Sequence, residues 1–330
     1  MPQGAPNCRC WYSWREQLVD LQGDFEVAAI DLPGYNASSG PTQRAGYLSY
    51  NLCAIIAGVL RGLGRDSCTL VGHDWGAAIA YDFAALYPEK VARLMILSVP
   101  PLQCFARNMD IGQAVTSSYM QQFVLPALPE MLLRRNDYAM FRTSLTKPEA
   151  GGVVNNTVTD KDVQIYKDAI ATPGALTRAL NYYRCVCACL GRCAPVTVQC
   201  YFLGACGVLR EQVCAALSCN VNVLRCTSQL VAVQTNLQTT AHLRICRASL
   251  LDDNILRRNK DLHRRRRVPL SMPATLMVGD RDKFLHVKLF SHVGTYAPHA
   301  TVHIVPNCSH WVQQDVPEKV NKALRELANA

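Results

Sequence analysis

An aspartate in the stretch LVGHDWGAA, residues 70–78, stands between a predicted strand and a predicted helix. The flanking Gly72 and Gly76 permit a sharp turn, which would lift the Asp74 side chain into a cleft and aim the backbone N–H of Trp75 at the same spot. A carboxylate there suits attack on a saturated carbon, because the resulting ester keeps a carbonyl that water can cleave. A serine would instead leave an ether. The pattern indicates a nucleophile that accepts an alkyl group; the alternative is a tight turn with an exposed aspartate.

A nucleophile of this kind needs a base, and the base needs a residue that orients it. Asp282 in GDRD and His310 in SHW each follow a predicted strand, so both are expected at the same sheet edge as Asp74. Asp280 competes with Asp282 for the orienting role. Taken singly, Asp282 could be a turn former and His310 a surface loop residue.

The elements that must position these residues alternate between short apolar runs and helical patterns. This alternation predicts an α/β fold with a mostly parallel sheet covered by helices. A helix is predicted from about Gly76 to Tyr87, another closes the chain, and residues 104–184 are predicted to form a helical cap. The predicted strands are FEVAAIDL (25–32), SCTLVGHD (67–74), ARLMILSV (92–99), ATLMVGD (274–280) and TVHIVPN (301–307), and the closing helix is PEKVNKALRELAN (317–329).

The composition, with 49% hydrophobic residues among 330, predicts a globular chain with a substantial core. Most of the net charge of +9 falls in residues 185–267, which hold twelve basic and four acidic residues. We interpret the closing arginine run there as a solvated charge block and predict no nucleic-acid partner. No secretory pattern opens the chain and no stretch is long and apolar enough to span a membrane, so we expect reduced thiols and a cytoplasmic protein.

Ten of the sixteen cysteines lie between Cys185 and Cys246. The spacing of Cys185, Cys187, Cys189 and Cys193 is a weak match to a zinc site, and no metal is predicted. Residues 185–267 have no sustained period, so we predict a disordered insert.

Several stretches together resemble the epoxide hydrolases of the α/β-hydrolase superfamily, in the branch of epoxide hydrolases 3 and 4. The matching stretches are WYSWREQL, DLPGY, VGHDWGAAIAYDFAALYPEKVARLMIL, SSYM, TPGALTRALNYYR, PATLMVGDRDKF and CSHWVQQDVPEKVN. The resemblance implies an α/β-hydrolase fold with a helical cap, no cofactor, and conversion of a small apolar epoxide and water to a vicinal diol. It also implies roles for five residues: Asp74 as nucleophile, Asp282 as acid member, His310 as base, and Tyr119 and Tyr183 as donors to the epoxide oxygen. Tyr182 competes with Tyr183, and either lid tyrosine could instead be a core residue.

The chain also departs from the pattern of this family. The family's H-G-x-P motif and first strands are expected to be missing, because APNCRC (5–10) stands where that motif belongs. The predicted organisation is a truncated N-terminal part of the core (1–103), a helical cap (104–184), the Cys/Arg-rich insert (185–267) and the C-terminal part of the core (268–330).

Two alternative functions remain open at this point. A haloalkane or haloacetate dehalogenase shares the aspartate nucleophile and the position of Trp75, but it binds halide through N–H donors, so the paired phenols favour the epoxide. The other alternative is a catalytically inactive truncated product.

Overall fold

Four parallel strands form the centre of the part of the chain that the structure describes, residues 10–155, 157–193 and 253–329 of a computed structural model. The sheet has the order β1-β2-β3-β4. The strands are β1 (Cys68–His73), β2 (Val91–Leu97), β3 (Ala274–Gly279) and β4 (Ala300–Val305). These confirm four of the five predicted strands.

Helices flank the strands, and a long helical segment lies between β2 and β3. Helix α3 begins directly after Asp74, α4 to α9 make up the segment after β2, and α13 confirms the predicted closing helix. Non-helical backbone at Arg135–Tyr138 interrupts α7. The helices are α1 (Arg15–Leu21), α2 (Ser49–Gly62), α3 (Trp75–Leu86), α4 (Leu102–Arg107), α5 (Ile111–Thr116), α6 (Tyr119–Val124), α7 (Leu128–Thr146), α8 (Asp160–Ala171), α9 (Ala175–Cys193), α10 (Asp253–Arg265), α11 (Val293–Tyr296), α12 (Val312–Asp315) and α13 (Pro317–Asn329).

The sheet is covered on both faces, which explains why its inner strands are apolar at nearly every position. Successive side chains of a strand point to opposite faces. Leu94 and Ile96 accordingly belong to the cluster that includes residues of α3, and Met95 and Leu97 belong to the cluster that includes residues of α13. Every residue of β3 is buried.

The strands are paired in a register that brings their carboxyl ends to one edge. His73 pairs with Leu97, Leu97 with Met277, and Gly279 with Val305. Since all four strands are parallel, the loops that follow them meet at this edge, the usual position of sites in such sheets.

The strand predicted at residues 25–32 is wrong, because the structure gives this segment no regular secondary structure. A strand requires a hydrogen-bonded neighbour. Within the described residues, β1 pairs with β2 only and no strand lies on its other side. Val27 and Ile30, apolar residues that suggested the strand, are 36% and 40% exposed.

The ends of the Cys/Arg-rich segment differ from the disorder predicted for residues 185–267. Helix α9 continues to Cys193, and α10 occupies Asp253–Arg265 with Leu262 buried. The arginine run is also not wholly solvated, because the Arg266 guanidinium donates to both carboxylate oxygens of Asp82, from Nε at 2.7 Å and Nη2 at 2.6 Å. The middle of the segment, residues 194–252, and residues 5–9 of the APNCRC stretch lie outside the described residues.

Candidate active site

Asp74 occupies the turn between β1 and α3 in a strained backbone conformation. Its φ is +52° and its ψ is −121°, a region that residues with a Cβ rarely adopt and that is often found at functional sites. Gly72 is required beside it, since a Cβ there would lie 2.7 Å from the Ala77 Cα. A Cβ at Gly76 would meet nothing within 4 Å, so of the two glycines that flank the turn only Gly72 is required by close contact.

The structure brings together the nucleophile, acid and base candidates predicted from the sequence, with His310 between the two carboxylates. His310 Nδ1 lies 2.7 Å from Asp282 Oδ2, and His310 Nε2 lies 3.9 Å from Asp74 Oδ2. The side chains of Asp282 and His310 are 0% and 2% exposed, while that of Asp74 is 17% exposed. Of these three groups, the nucleophile candidate is therefore the one most open to a substrate.

The loop after β3 holds Asp282 rather than Asp280 against the histidine. Asp282 Oδ1 accepts hydrogen bonds from the backbone N–H groups of Phe284 at 2.8 Å and Leu285 at 2.9 Å, which leaves Oδ2 directed at His310. Asp280 is exposed, and its carboxylate accepts from the backbone N–H of Cys308 at 3.3 Å. The structure thus separates two carboxylates that follow the same predicted strand, and the one it holds against His310 is Asp282, the residue that the resemblance implied.

The backbone of His310 is fixed by residues to which sequence reasoning gave no role. Its carbonyl accepts from Ser98 Oγ at 2.6 Å and from His73 Nε2 at 2.9 Å. The preceding N–H, of Ser309, donates to Asp315 Oδ2 at 2.7 Å. His73 stands inside the motif around Asp74 and was therefore visible in the sequence, whereas nothing there singles out Ser98 or Asp315.

The electrostatics around His310 follow from its burial between two carboxylates. Burial lowers the pKa of the imidazole, but the charge and hydrogen bond of Asp282 and the charge of Asp74 outweigh it and raise that pKa to about 10. The resting imidazole is therefore protonated at neutral pH. Any change that neutralises Asp74 removes one of the two anions that hold this proton.

The two tyrosines predicted in the cap lie near each other and near the turn that carries Asp74. The rings of Tyr119 and Tyr183 are 6.3 Å apart between centroids, and Tyr183 packs edge-on against Trp75 at 5.0 Å. The competing Tyr182 is committed elsewhere, because its hydroxyl donates to the carbonyl of Pro33 at 2.8 Å. Trp75 is the first residue of α3, where the N–H groups of a helix point out of its end.

The described part of the chain has neither a metal-binding cluster nor a helix that could span a membrane. Residues 10–155, 157–193 and 253–329 contain no cluster of three or more His, Cys, Asp or Glu side chains able to hold a metal ion. The side chains of Cys187, Cys189 and Cys193, which gave the weak zinc match, lie outside the described side chains. Among the described helices, none has the length and apolar character needed to cross a bilayer.

Comparison with known proteins places this geometry in a family. The family model described as alpha/beta hydrolase fold matches residues 1–177. The chain belongs to the α/β-hydrolase fold family. As in the nucleophile turn of that fold, Asp74 lies between a strand and a helix, and the acid and histidine follow it in chain order.

Relatives of this α/β hydrolase include proteins named epoxide hydrolases. Mouse epoxide hydrolase 4 is 34% identical over 183 residues, covering 54% of this chain and 51% of the relative. Mouse epoxide hydrolase 3 is 36% identical over 176 residues, covering 53% and 47%. The chain thus spans about half the length of these curated relatives.

Two longer alignments extend the similarity along this α/β hydrolase. Epoxide hydrolase 3 of Xenopus tropicalis is 27% identical over 322 residues, covering 96% of this chain and 68% of the relative. The crystal structure of the Bacillus megaterium epoxide hydrolase in complex with an inhibitor superimposes with a TM-score of 0.68 at 24% identity, covering 99% of this chain and 91% of that one. At that identity the structural likeness supports the fold.

Proposed function

We propose that this α/β hydrolase converts epoxides to vicinal diols through an ester formed on Asp74. The observation that carries the proposal is the line of Asp74, His310 and Asp282, in which a carboxylate stands where the fold places its nucleophile. Homology to epoxide hydrolases supports a hydrolase, and the choice of reaction rests on the chemistry of that carboxylate.

In the first step, an Asp74 oxygen attacks a ring carbon of the epoxide and the carbon–oxygen bond of the strained ring breaks. The departing alkoxide takes a proton from the phenols of Tyr119 and Tyr183, a general-acid contribution of about 10²–10⁴-fold. The product of this step is a hydroxyalkyl ester on Asp74, which no longer carries a negative charge.

The second step follows from the electrostatics of His310. Once Asp74 is an ester, Asp282 is the remaining carboxylate of the pair, so the pKa of His310 falls from about 10 and its Nε2 loses a proton. That proton replaces the one that the tyrosine phenol gave to the alkoxide, so the phenol is restored. The neutral imidazole then deprotonates a water molecule, whose oxygen attacks the ester carbonyl, and the carbonyl oxygen gains negative charge that the N–H of Trp75 would stabilise. When this intermediate collapses, the bond from the carbonyl carbon to the alkyl oxygen breaks. The departing alkoxide takes the proton of the new carboxyl group, which releases the diol and restores the Asp74 carboxylate.

Trapping the ester tests the proposal directly. In a His310→Gln variant exposed to styrene oxide, we expect intact-protein mass spectrometry to show one adduct per chain, and peptide mapping to place it on Asp74. An Asp74→Asn variant is the matched control and should form none. In wild-type protein, one turnover in ¹⁸O-labelled water should deposit the isotope in the Asp74 carboxylate, and diol formed without that label would refute the scheme.

The same assay separates the dehalogenase alternative. With a bromoalkane in place of styrene oxide, a dehalogenase would release bromide. Bromide release without diol formation from the epoxide would favour that reaction over the one proposed.

A further inference from the structure

One buried amide directs its hydrogen bonds at the loop that carries Asp282. Gln113, in α5, is 0% exposed. Its Nε2 donates to the carbonyl of Phe284 at 2.8 Å and to the hydroxyl of Ser117 at 2.9 Å. Its Oε1 accepts from the backbone N–H of His286 at 3.0 Å. Both donors of the amide and its acceptor oxygen are therefore used.

The backbone that Gln113 binds is the same backbone that orients Asp282. The N–H of Phe284 donates to Asp282 Oδ1, and the carbonyl of Phe284 accepts from Gln113. The backbone of Phe284 is thus bound by Asp282 through its N–H and by Gln113 of α5 through its carbonyl. Since the second oxygen of Asp282 meets His310 at 2.7 Å, any displacement of this loop changes that contact.

The ring of Phe284 contacts both His310 and Tyr119. It packs edge-on against His310, with ring centroids 5.1 Å apart, and against Tyr119 at 6.1 Å. Ser117, the other partner of Gln113, lies two residues before Tyr119. The Gln113 side chain thus contacts both the loop that carries Asp282 and the segment that leads to Tyr119.

We infer that Gln113 is a positioning residue, which holds the Asp282 loop against His310 and aligns it with Tyr119 across the boundary between cap and sheet. The inference rests on the proposed function for its catalytic meaning, since the two elements that it joins serve the two steps of that reaction. Whether the contact between Asp282 and His310 depends on Gln113 can be measured without turnover.

A second amide at the same boundary provides a matched control. Asn108 Nδ2 donates to the carbonyls of Leu289 at 3.3 Å and Ser291 at 2.9 Å. It therefore also binds backbone from the segment after β3, but beyond the loop that holds Asp282. Gln113→Met and Asn108→Leu each remove an amide and keep a side chain of similar size.

The decisive measurement is an NMR titration of the His310 imidazole, assigned by its absence in His310→Gln. His310 faces the carboxylates of Asp74 and Asp282, so loosening the second should lower its proton affinity. We expect a loss of about tenfold in that affinity, one pKa unit, for Gln113→Met and no change for Asn108→Leu. Equal shifts in both variants, or no shift in either, would overturn the inference.

A kinetic measurement tests the consequence for the reaction. In Gln113→Met we expect hydrolysis of the Asp74 ester to slow by about 10²-fold, so that adduct accumulates and kcat and KM fall together while kcat/KM stays nearly unchanged. Should Gln113→Met fail to fold, Gln113→Asn retains an amide that is one methylene too short to reach the backbone of both Phe284 and His286, and the same shift is expected. If His310→Gln traps no ester on Asp74 while Gln113→Met still shows the predicted titration shift, the reaction is refuted and the positioning role stands.

Discussion

The ion pair between Arg266 and Asp82 is expected to stabilise the fold, although Arg266 belongs to a run of four arginines, residues 264–267, that the sequence presents as surface charge. Arg266 donates twice to the Asp82 carboxylate, at 2.7 and 2.6 Å, with side-chain exposures of 26% for the arginine and 6% for the aspartate. Asp82 lies in α3, the helix that begins at the nucleophile turn. The pair therefore ties the chain just after α10 to the core.

The magnitude follows from what each substitution leaves behind. Arg266→Met removes both charge-assisted bonds and leaves a buried carboxylate without that partner, a change that costs about 3–5 kcal/mol when the pair is fully buried. Because Arg266 is a quarter exposed, solvent screening lowers the expectation to about 3 kcal/mol. The neighbouring Arg265 pairs with Asp261 on the surface, where exposures are 43% and 35%, so Arg265→Met should cost roughly 0–0.5 kcal/mol.

Urea denaturation of wild type, Arg266→Met and Arg265→Met at one pH and salt concentration measures this difference in the free energy of unfolding. The two variants lose the same charge from adjacent positions, so a general effect of net charge cancels between them. If Arg266→Met unfolds within about 0.5 kcal/mol of Arg265→Met, the pair does not stabilise the fold and the reasoning from burial is refuted.

Three further predictions concern the site. Tyr119→Phe and Tyr183→Phe should each slow the alkylation of Asp74 by about 10²-fold in single-turnover mass spectrometry, and unchanged rates would remove the phenols from the mechanism. The pKa of His310 is raised from 6.5 to about 10, so the stabilisation of the fold by the charged imidazole is fully present below pH 6.5 and is lost as the pH rises through 10. The difference in unfolding free energy between wild type and His310→Gln should shrink over that range, and a constant difference would contradict this expectation. Gly279→Ala would clash with backbone oxygens just before His310 and should cost about 1–3 kcal/mol by denaturation, whereas the control Gly294→Ala meets nothing within 4 Å and should be nearly neutral.

The sequence by itself determined the chain order of the site and the elements that carry it. Asp74, Asp282 and His310 could be singled out because each follows an apolar run, and the carboxyl ends of parallel strands meet at one edge of a sheet. Strand and helix boundaries near the site were predictable for the same reason, since α3 and α13 begin and end within one or two residues of the predicted bounds. These are properties of local pattern and spacing.

The tertiary structure decided which of several equivalent side chains takes part. The local pattern makes Asp280 and Asp282 equivalent turn carboxylates, and only the resemblance to a family favoured Asp282. The loop hydrogen bonds to Phe284 and Leu285 are what orient Asp282 toward His310. The strand predicted at residues 25–32 failed because a strand is completed by its neighbour and not by its own propensity.

Contacts between residues far apart in the chain also could not be predicted from the sequence. The contacts of Ser98 with His310, of Gln113 with Phe284 and of Arg266 with Asp82 each join residues more than 150 positions apart. No local period or spacing encodes such a pair, because the free energy of each contact depends on burial that exists only after the cap, the sheet and α10 have packed together.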